Sequence, residues 1–243
     1  MRLLVTRPAG DAEVTAARLE ALGHEAMIVP MLERVLLPLP PIDELPAAIA
    51  LTSANALAGI EASPESRHWR HIPVFSVGGR TAEAAREAGY IDVRSADGDS
   101  SDLVRLIEAT LTPTIGTILY PAATERSGHV DTALRSAGFR ARLVEVYRMQ
   151  PIESLPDAVR ESLSAGRLGG VLLYSRRTAE TFVRLAQLAG LVGALRGTTG
   201  FALSPSIAAG LPFGRIVAAA EPNEDALLDV LTDDGGTSAA GKC

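Results

Sequence analysis

Short apolar runs alternate along this chain with segments whose apolar positions recur at helical spacing. Ten runs of three to five residues have the character of strands: 3–5, 26–29, 48–51, 74–77, 91–93, 117–120, 142–146, 171–174, 200–203 and 215–218. Four helix faces lie between them: Val14 with Ala17, Ala21 and Leu22; Leu103 with Leu106, Ile107 and Leu111; Phe182 with Leu185, Ala186 and Ala189; Ala226 with Leu227, Val230 and Leu231. Strands that alternate with helices predict βαβ units and parallel sheets.

The chain also repeats itself. Leu3–Gly23 matches Ile118–Gly138 without a gap, and each segment runs from an apolar strand through a turn with a proline and an amphipathic stretch to a glycine. The text around Leu51–Ala56 is echoed around Leu173–Ala179. The repeat has the order A (1–34), B (48–111), A′ (116–148) and B′ (170–233). It predicts two similar α/β domains, each with a parallel five-stranded sheet, and a cleft between them.

The repeated units can pair in two ways, and periodicity does not distinguish them. Sequential pairing joins A with B and A′ with B′, whereas the other joins B with A′ as a central domain and A with B′ as a discontinuous one. Met31–Pro46 and Met149–Pro156 are proline-rich and similar in text, since PIDELP recurs as PIESLP. They are typical of two linkers side by side, which favours the central domain. The Gly/Ser/Ala-rich tail from Asp233 predicts disorder.

Composition limits the class of protein. Hydrophobic residues make up 47% of the 243 residues and aromatic residues 4%, which fits an Ala/Leu/Val core of helices on sheets. No apolar run has the length of a membrane span, and no signal peptide is evident, so we expect a cytoplasmic protein without membrane attachment. Cys243 is the only cysteine and the four histidines lack zinc-site spacing, so we expect no disulfide and no metal. A net charge of −6 argues against nucleic acid as a partner, but not against a small anion held by local arginines.

The residues that follow the predicted strands indicate a binding site, because ligands bind beyond the carboxyl ends of parallel strands. Small hydroxyl residues and glycines precede helices there, where free N–H groups suit a carboxylate or phosphate. The candidate binding residues are Arg7, Thr52, Ser53, Ala54, Gly78, Arg80, Thr81, Pro121, Ala122, Ser175, Arg176, Ser204 and Ser206. Arg126 and Arg177 add to the arginines that bind oxyanions in a bidentate manner. Hydroxyl residues at these places are also ordinary helix caps, but both halves carry them, which favours a ligand with several anionic groups.

Residues for side-chain chemistry are scarce. There is no P-loop, no complete Gly-x-Gly-x-x-Gly and no Gly-x-Ser-x-Gly elbow. His68 and His71 flank Trp69 in a polar segment that we interpret as a solvent-facing loop or helix end, without a paired base or metal partner. The pattern therefore indicates a substrate that is reactive by itself and needs to be shaped.

Seven segments occur in an order that resembles one known family: VTRPAG, GHEAMIVPMLER, LTSANA, VFSVGGRTAEAAREAG, LYPAATERS, GFRARLVEVYRMQP and LLYSRRTAETF. Over nearly the whole chain, to about Val230, they are similar to the uroporphyrinogen-III synthase family. The resemblance implies two flavodoxin-like domains joined by a two-stranded linker. Residues 36–147 form the central domain in this comparison, and 1–34 with 150–243 the discontinuous one.

The resemblance also implies an activity: cyclisation of hydroxymethylbilane, a small polycarboxylate, with inversion of the terminal pyrrole ring and loss of water. No cofactor is expected. A monomer is expected, together with hand-over of the substrate from hydroxymethylbilane synthase. This activity fits the arginine-rich turns, because the bilane carries an acetate and a propionate on every ring.

The resemblance assigns roles to individual residues. Tyr147 corresponds to a family tyrosine near the connector, which we expect to donate a proton to the departing hydroxide, since a phenol is protonated at neutral pH. Thr81 matches a threonine of the family's Gly-x-x-Thr turn, and Ser53 and Ser175 match serines after the corresponding strands. The family's Gly-Pro-x-Thr turn is replaced here by Ser204–Ile207, in which Ser206 supplies the hydroxyl. We therefore expect the Gly78–Thr81 side to hold the ligand more closely.

Two other functions compete with this interpretation. A two-domain protein that binds a small polyanion without turnover would use the same arginines. A nucleotide-sugar or nucleoside-phosphate transferase is also two-domain and α/β, but it would need a glycine-rich diphosphate loop, and none is clear in this sequence.

Overall fold

The computed structural model describes residues 1–8, 10–126 and 128–236. The strands are β1 (Arg2–Val5), β2 (Glu25–Ile28), β3 (Leu32–Leu36), β4 (Ala48–Leu51), β5 (Val74–Ser76), β6 (Val93–Ser95), β7 (Thr117–Ala123), β8 (Arg140–Pro151), β9 (Gly170–Leu173), β10 (Thr199–Ala202) and β11 (Arg215–Ala218). The helices are α1 (Asp11–Ala21), α2 (Ala54–Glu61), α3 (Gly79–Glu87), α4 (Ser100–Thr110), α5 (Val130–Ser136), α6 (Asp157–Ser164), α7 (Arg176–Leu188), α8 (Pro205–Ala208) and α9 (Glu224–Gly236). Pro64–Trp69 and Val192–Gly197 form 3-10 helices.

The chain folds into two compact units. The discontinuous unit combines Met1–Glu33 with the chain from Pro151 onward, and the central unit is Arg34–Gln150. The chain therefore crosses from one unit to the other within β3 and returns within β8.

The discontinuous unit is built on a parallel five-stranded sheet with the order β11-β10-β9-β1-β2. Successive side chains of a strand point to opposite faces, so β1 places Leu4 in one apolar cluster and Leu3 in the other. Helices α6 and α7 cover the first face, where Phe182 is fully buried. Helices α1 and α9 cover the second, where Leu19 and Leu227 are fully buried.

The central unit is built on a six-stranded sheet with the order β3-β8-β7-β4-β5-β6. From β8 to β6 the neighbouring strands pair in parallel. Strand β4 again alternates, with Ile49 on the face covered by α2 and α3 and Ala50 on the face covered by α4 and α5. The spatial order β8-β7-β4-β5-β6 corresponds strand for strand to β2-β1-β9-β10-β11, so the sequence repeat is a repeat of structure. The connectivity is circularly permuted, because β7 and β8 follow β4–β6 in the chain, whereas β1 and β2 precede β9–β11.

The prediction of an α/β fold with parallel sheets is confirmed, but the prediction of five strands in both sheets is wrong. Each of the ten predicted strands overlaps an observed one, and β3 is an additional strand. Its sequence, LERVL, lacks apolar-polar alternation, and Glu33 and Arg34 are exposed, so its pattern does not distinguish it from a linker. It forms because β8 offers it an edge for pairing.

The predicted apolar face of α1 is also wrong. Val14 is 59% exposed and Leu22 is 41% exposed. The buried residues are Ala12, Thr15, Ala16 and Leu19, which follow the i, i+3, i+4, i+7 pattern in another phase. The buried threonine explains the error, because its hydroxyl is satisfied by hydrogen bonds that apolar periodicity does not reveal.

The ends of two helices have distinct features. Asp99 caps α4, with its carboxylate accepting from the N–H groups of Ser101 and Asp102. Helix α9 continues to Gly236, while the disorder expected from Asp233 stays a prediction; the rest of that tail, 237–243, lies outside the described residues. Among the helices of the described part, none has the length and apolar character that crossing a membrane requires.

Candidate active site

All parallel strands of a sheet end at one edge, here named the carboxyl edge. In the discontinuous unit, Arg7 follows β1 and Tyr174 follows the neighbouring strand β9. The Arg7 guanidinium carbon lies 4.4 Å from the centroid of the Tyr174 ring. Arg7 Nη1 also donates to Glu224 Oε1 at 2.8 Å, and the Tyr174 hydroxyl donates to the same oxygen at 2.9 Å. The three side chains thus form one hydrogen-bonded cluster.

Electrostatics fixes the charges of this cluster. Burial opposes ionisation of Glu224, but hydrogen bonds from Thr15 and Tyr174 and the charge of Arg7 outweigh it and lower the pKa of the carboxyl group. Burial, together with the charge of Glu224, raises the pKa of Tyr174. At neutral pH Arg7 is therefore an ion paired with Glu224 and, at 3.2 Å, with Asp11. Arg7, which the sequence predicts to bind an anion, therefore already has carboxylate partners within its own unit.

The remaining predicted residues of this edge begin helices. Ser175 caps α7, and its Oγ accepts from the N–H of Thr178 at 3.2 Å. Arg176 Nε donates to Glu180 Oε1 at 2.6 Å, and its Nη1 donates to the carbonyl of Ala209 at 2.5 Å. Arg176 is thus engaged as well.

The turn after β10 is looser. Ser204 precedes α8 without capping it through its side chain. The Ser204 and Ser206 hydroxyl oxygens lie 3.0 Å apart, and Ser206 is exposed. Two hydroxyl groups therefore remain at the surface of this turn.

In the central unit, the turn after β4 leads into α2. Ser53 caps α2 by accepting from the N–H of Asn55 at 3.1 Å, and Thr52, Ser53 and Ala54 are all partly exposed. Arg34 Nη1 donates to Asn55 Oδ1 at 2.8 Å. The sequence patterns did not single out Arg34, because it lies in a segment interpreted as linker and only tertiary structure brings it to α2.

The turn after β5 leads into α3, with Gly78 preceding the first helical residue. A Cβ atom at Gly78 would meet nothing within 4 Å, so its backbone faces open space. Arg80 is exposed in the first turn of α3. Thr81 is only 8% exposed, and its hydroxyl has no hydrogen-bond partner among the described residues. Among the described residues, Arg2 Nε is the one polar side-chain atom that is both fully buried and without a hydrogen-bond partner. The Thr81 hydroxyl also has no partner among them, so it is not fully buried and reaches solvent.

Tyr147 owes its direction to a β-bulge. In the register of β7 with β8, Ala122 pairs with Glu145 but Ala123 pairs with Tyr147, so Val146 is an extra residue. A bulge reverses the alternation of side chains beyond it. Tyr147 therefore packs in the same apolar cluster as Val144 and Val146.

The hydroxyl of Tyr147 is placed differently from its ring. The side chain is 8% exposed, and among the described residues no hydrogen-bond partner meets its hydroxyl. That oxygen is not fully buried, by the same argument as for Thr81. A buried ring thus presents a polar tip that is able to donate a proton.

Pro121 and Ala122 do not lie in a turn. Strand β7 runs to Ala123, three residues beyond its predicted end, and both side chains are buried within it. The bulge in β8 accounts for the longer strand, because pairing continues past it. Arg126, which follows the strand, donates to Glu145 Oε1 at 3.1 Å and to two carbonyl groups.

The histidines of the central unit lie elsewhere. His68 and His71 are exposed as predicted, whereas Trp69 between them is 4% exposed and packs in the core. Glu65, His68 and Trp69 line a cavity of about 400 Å³ beside Leu39 and Leu45. This cavity lies at the amino edge of the sheet, because the 3-10 helix Pro64–Trp69 precedes β5. Across the described ranges, no group of three or more His, Cys, Asp or Glu side chains is placed to hold a metal ion.

Comparison with known proteins decides the family. The family model described as uroporphyrinogen-III synthase HemD matches residues 13–229, which is most of the chain. The chain belongs to the uroporphyrinogen-III synthase family. A uroporphyrinogen-III synthase from Synechococcus elongatus is 28% identical over 206 residues, which are 75% of this chain and 74% of that protein.

Solved structures of uroporphyrinogen-III synthases share the fold. The Helicobacter pylori 26695 structure is 18% identical, covers 96% of this chain and 99% of its own, and superposes with a TM-score of 0.60. A mutant enzyme from the extremely thermophilic bacterium Thermus thermophilus is 15% identical, covers 97% and 99%, and gives a TM-score of 0.50. The family resemblance inferred from the sequence motifs is confirmed.

Proposed function

We propose that this chain is a uroporphyrinogen-III synthase that cyclises hydroxymethylbilane, with loss of water and inversion of the terminal pyrrole ring. The family match over residues 13–229 carries the proposal. The geometry supports it: both carboxyl edges present hydroxyl groups and helix N-termini that suit carboxylates, and the described residues offer no metal-binding group.

The reaction depends more on positioning of the substrate than on reactive side chains. Departure of hydroxide from the bilane gives an azafulvene cation stabilised by the pyrrole nitrogen. The substituted carbon of the terminal ring attacks it, and the resulting spiro intermediate reopens and closes with that ring inverted. The ring carbon at which closure occurs then loses its proton, which restores the pyrrole and completes the loss of water. In water alone the bilane closes without inversion. The enzyme therefore contributes by holding the reacting ends in one geometry and by excluding water.

Within this proposal, Tyr147 protonates the departing hydroxide. The support is its placement: the bulge at Val146 holds the ring in the core of the central unit, and the hydroxyl reaches solvent without a competing partner among the described residues. General acid catalysis of this kind contributes roughly 10²–10⁴-fold in rate.

We further propose that the turns at Thr52–Ala54 and Gly78–Thr81 bind substrate carboxylates, with Ser175, Ser204 and Ser206 contributing hydroxyl groups. Support comes from the free Thr81 hydroxyl and the open space beside Gly78. The contributions proposed for Arg7 and Arg176 are weaker, because each is paired with a carboxylate of its own unit.

The two compact units correspond in this proposal to two flavodoxin-like domains. The order β2-β1-β9-β10-β11 supports this, since it is the 2-1-3-4-5 order of that fold. Its counterpart β8-β7-β4-β5-β6 has the same spatial arrangement with the chain circularly permuted. Strands β3 and β8, which both cross the unit boundary, act as the two-stranded linker.

A cytoplasmic monomer that receives its substrate directly from hydroxymethylbilane synthase completes the proposal. Light scattering of the purified protein measures the oligomeric state. Hand-over is tested by adding the synthase and an excess of an inactive variant of this chain, which should trap the bilane if transfer is direct.

The isomer assay tests the activity itself. Freshly generated hydroxymethylbilane is incubated with the purified protein, and the oxidised porphyrins are separated into type I and type III isomers. We expect type III to predominate, and type I in a control without protein. Type I alone in both samples would leave the alternative, a binding protein for a small polyanion without turnover.

A further inference from the structure

Arg34 differs from the other arginines near the carboxyl edges in its partner. Its Nη1 donates at 2.8 Å to Asn55 Oδ1, a neutral oxygen, and the side chain is exposed. Within the described part of the chain it has no carboxylate within ion-pair distance. Arg7, Arg126 and Arg176, in contrast, each bind a carboxylate. Arg34 thus combines a fixed position with an unneutralised charge.

Asn55 fixes the guanidinium without neutralising it. A guanidinium has five N–H donors, and Asn55 accepts one of them, so the other edges remain available for a bidentate carboxylate. An aspartate at the same place would remove that capacity by forming an ion pair. The amide of Asn55 also has N–H donors of its own, which are able to contact the same anion.

The surroundings of the pair add to its attraction for an anion. Asn55 lies in the first turn of α2, and this turn carries no acidic side chain. The positive end of the helix dipole therefore faces the same region as Arg34. Thr52 and Ser53 beside it are partly exposed and carry hydroxyl groups.

We propose that Arg34, held by Asn55, binds one of the carboxylate groups of the bilane substrate. This inference rests on the proposed function and extends it to a residue to which neither the motifs nor the repeat had assigned a role. Arg34 is a binding residue, since it contacts the substrate, and Asn55 is a positioning residue that acts through it.

The chain provides a matched control. Arg86 is an exposed arginine of the same unit, and its Nη2 donates to one neutral oxygen, the carbonyl of Val93, at 3.1 Å. It lies in the last turn of α3, at the amino edge. Arg34→Gln and Arg86→Gln therefore remove the same charge from opposite edges of one sheet.

The experiment measures kcat and KM for bilane conversion in the wild type, Arg34→Gln, Arg34→Lys, Asn55→Asp and Arg86→Gln. Loss of one charge-assisted, bidentate contact should raise KM about tenfold in Arg34→Gln and leave kcat nearly unchanged, because the contact is made before and during the reaction. The KM of Arg34→Lys should lie between those of the wild type and Arg34→Gln, because an ammonium group keeps the charge but cannot form the bidentate contact of a guanidinium. The KM of Asn55→Asp should be raised as in Arg34→Gln, and the KM of Arg86→Gln should stay near that of the wild type.

Salt provides an additional readout. Raising the ionic strength from about 0.05 M to about 0.5 M should raise KM more in the wild type than in Arg34→Gln, because screening weakens the charge contact that the variant lacks. Thermal melting of each variant checks that folding is intact.

The outcomes separate this inference from the proposed function. If the wild type forms type III and Arg34→Gln keeps a wild-type KM and salt dependence, the role of Arg34 is refuted and the function stands. An equal rise of KM in Arg86→Gln would refute it too, because the effect would then come from net charge. Formation of type I alone by the wild type would refute the proposed function. Binding of uroporphyrin III, followed by fluorescence quenching, then tests Arg34 directly: an affinity equal in wild type and Arg34→Gln refutes its role.

Discussion

The guanidinium of Arg7 stacks over the ring of Tyr174 at 4.4 Å, across the junction of β1 and β9. In a sheet of this order that junction is where the connections diverge to the two sides and where ligands commonly bind. Here protein side chains fill it. The repeat puts Ala122 and Thr52 at the corresponding positions of the central unit, and these are smaller. The two halves therefore differ at the place where a doubly wound sheet usually binds its ligand.

Because Arg7 is satisfied by Glu224 and Tyr174, we expect its loss to affect stability more than substrate binding. Arg7→Gln removes the nearer of the two arginines paired with the partly buried Glu224, leaving Arg18 at 3.5 Å, and should lower the free energy of unfolding by about 1–2 kcal/mol. Urea unfolding and steady-state kinetics on the same preparation check this. A raised KM with unchanged stability would instead assign Arg7 to the substrate.

Glu224 should make stability depend on acid. Its pKa is lowered from the usual 4.5, so the folded protein binds its proton less readily than the unfolded chain. The contribution is fully present above the unfolded value and is lost as the pH falls through the lower folded pKa. Urea midpoints at pH 7 and at about pH 3.5 should therefore differ less in Glu224→Gln than in the wild type. Equal losses in both proteins would contradict this role for the carboxylate.

Much of the fold could be predicted because it depends on local periodicity. Apolar runs located the strands of both sheets, and the repeat gave their equivalent order. Strand β3 was not predicted, because pairing with β8, rather than its own sequence pattern, makes Leu32–Leu36 a strand. The buried face of α1 was predicted wrongly, because Thr15 is buried through hydrogen bonds to Glu224 and to the carbonyl of Asp11 and so shifts the buried stripe.

The candidate site was less predictable, because it depends on which side chains already have partners. Arg7 and Arg176 follow their strands as the pattern indicates, but Glu224 and Glu180 occupy them. Glu224 is far from Arg7 in sequence, so no local pattern reveals the pair. Arg34 is a reverse case, since its contact with Asn55 depends on β3 joining the sheet next to β8.

Substitution by alanine should affect the stability of the protein differently at two glycines. At Gly59 in α2 a Cβ atom would lie 2.6 Å from Val146 Cβ and 2.7 Å from the Val146 carbonyl oxygen, so Gly59→Ala should destabilise the protein by about 1–3 kcal/mol. At Gly78 a Cβ atom meets nothing within 4 Å, so Gly78→Ala should change stability by less than about 1 kcal/mol.

The kinetics of Gly78→Ala then test whether substrate uses that space. We expect KM to rise in Gly78→Ala while the thermal melt stays near that of the wild type, because the methyl group fills the approach to the backbone. An unchanged KM would show that the substrate does not come close to Gly78.

Tyr147→Phe tests the proposed proton donor. The substitution keeps the ring in the core of the central unit and removes only the hydroxyl, which has no partner among the described residues, so stability should hardly change. If the hydroxyl protonates the leaving hydroxide, kcat should fall roughly 10²-fold or more, and affinity for uroporphyrin III should stay near that of the wild type. Tyr90→Phe is the matched control, because it removes the hydroxyl of another buried tyrosine whose partner is Glu61. That variant should lose some stability and keep its kcat. A wild-type kcat in Tyr147→Phe would exclude the hydroxyl from the mechanism and leave positioning as the whole of the catalysis.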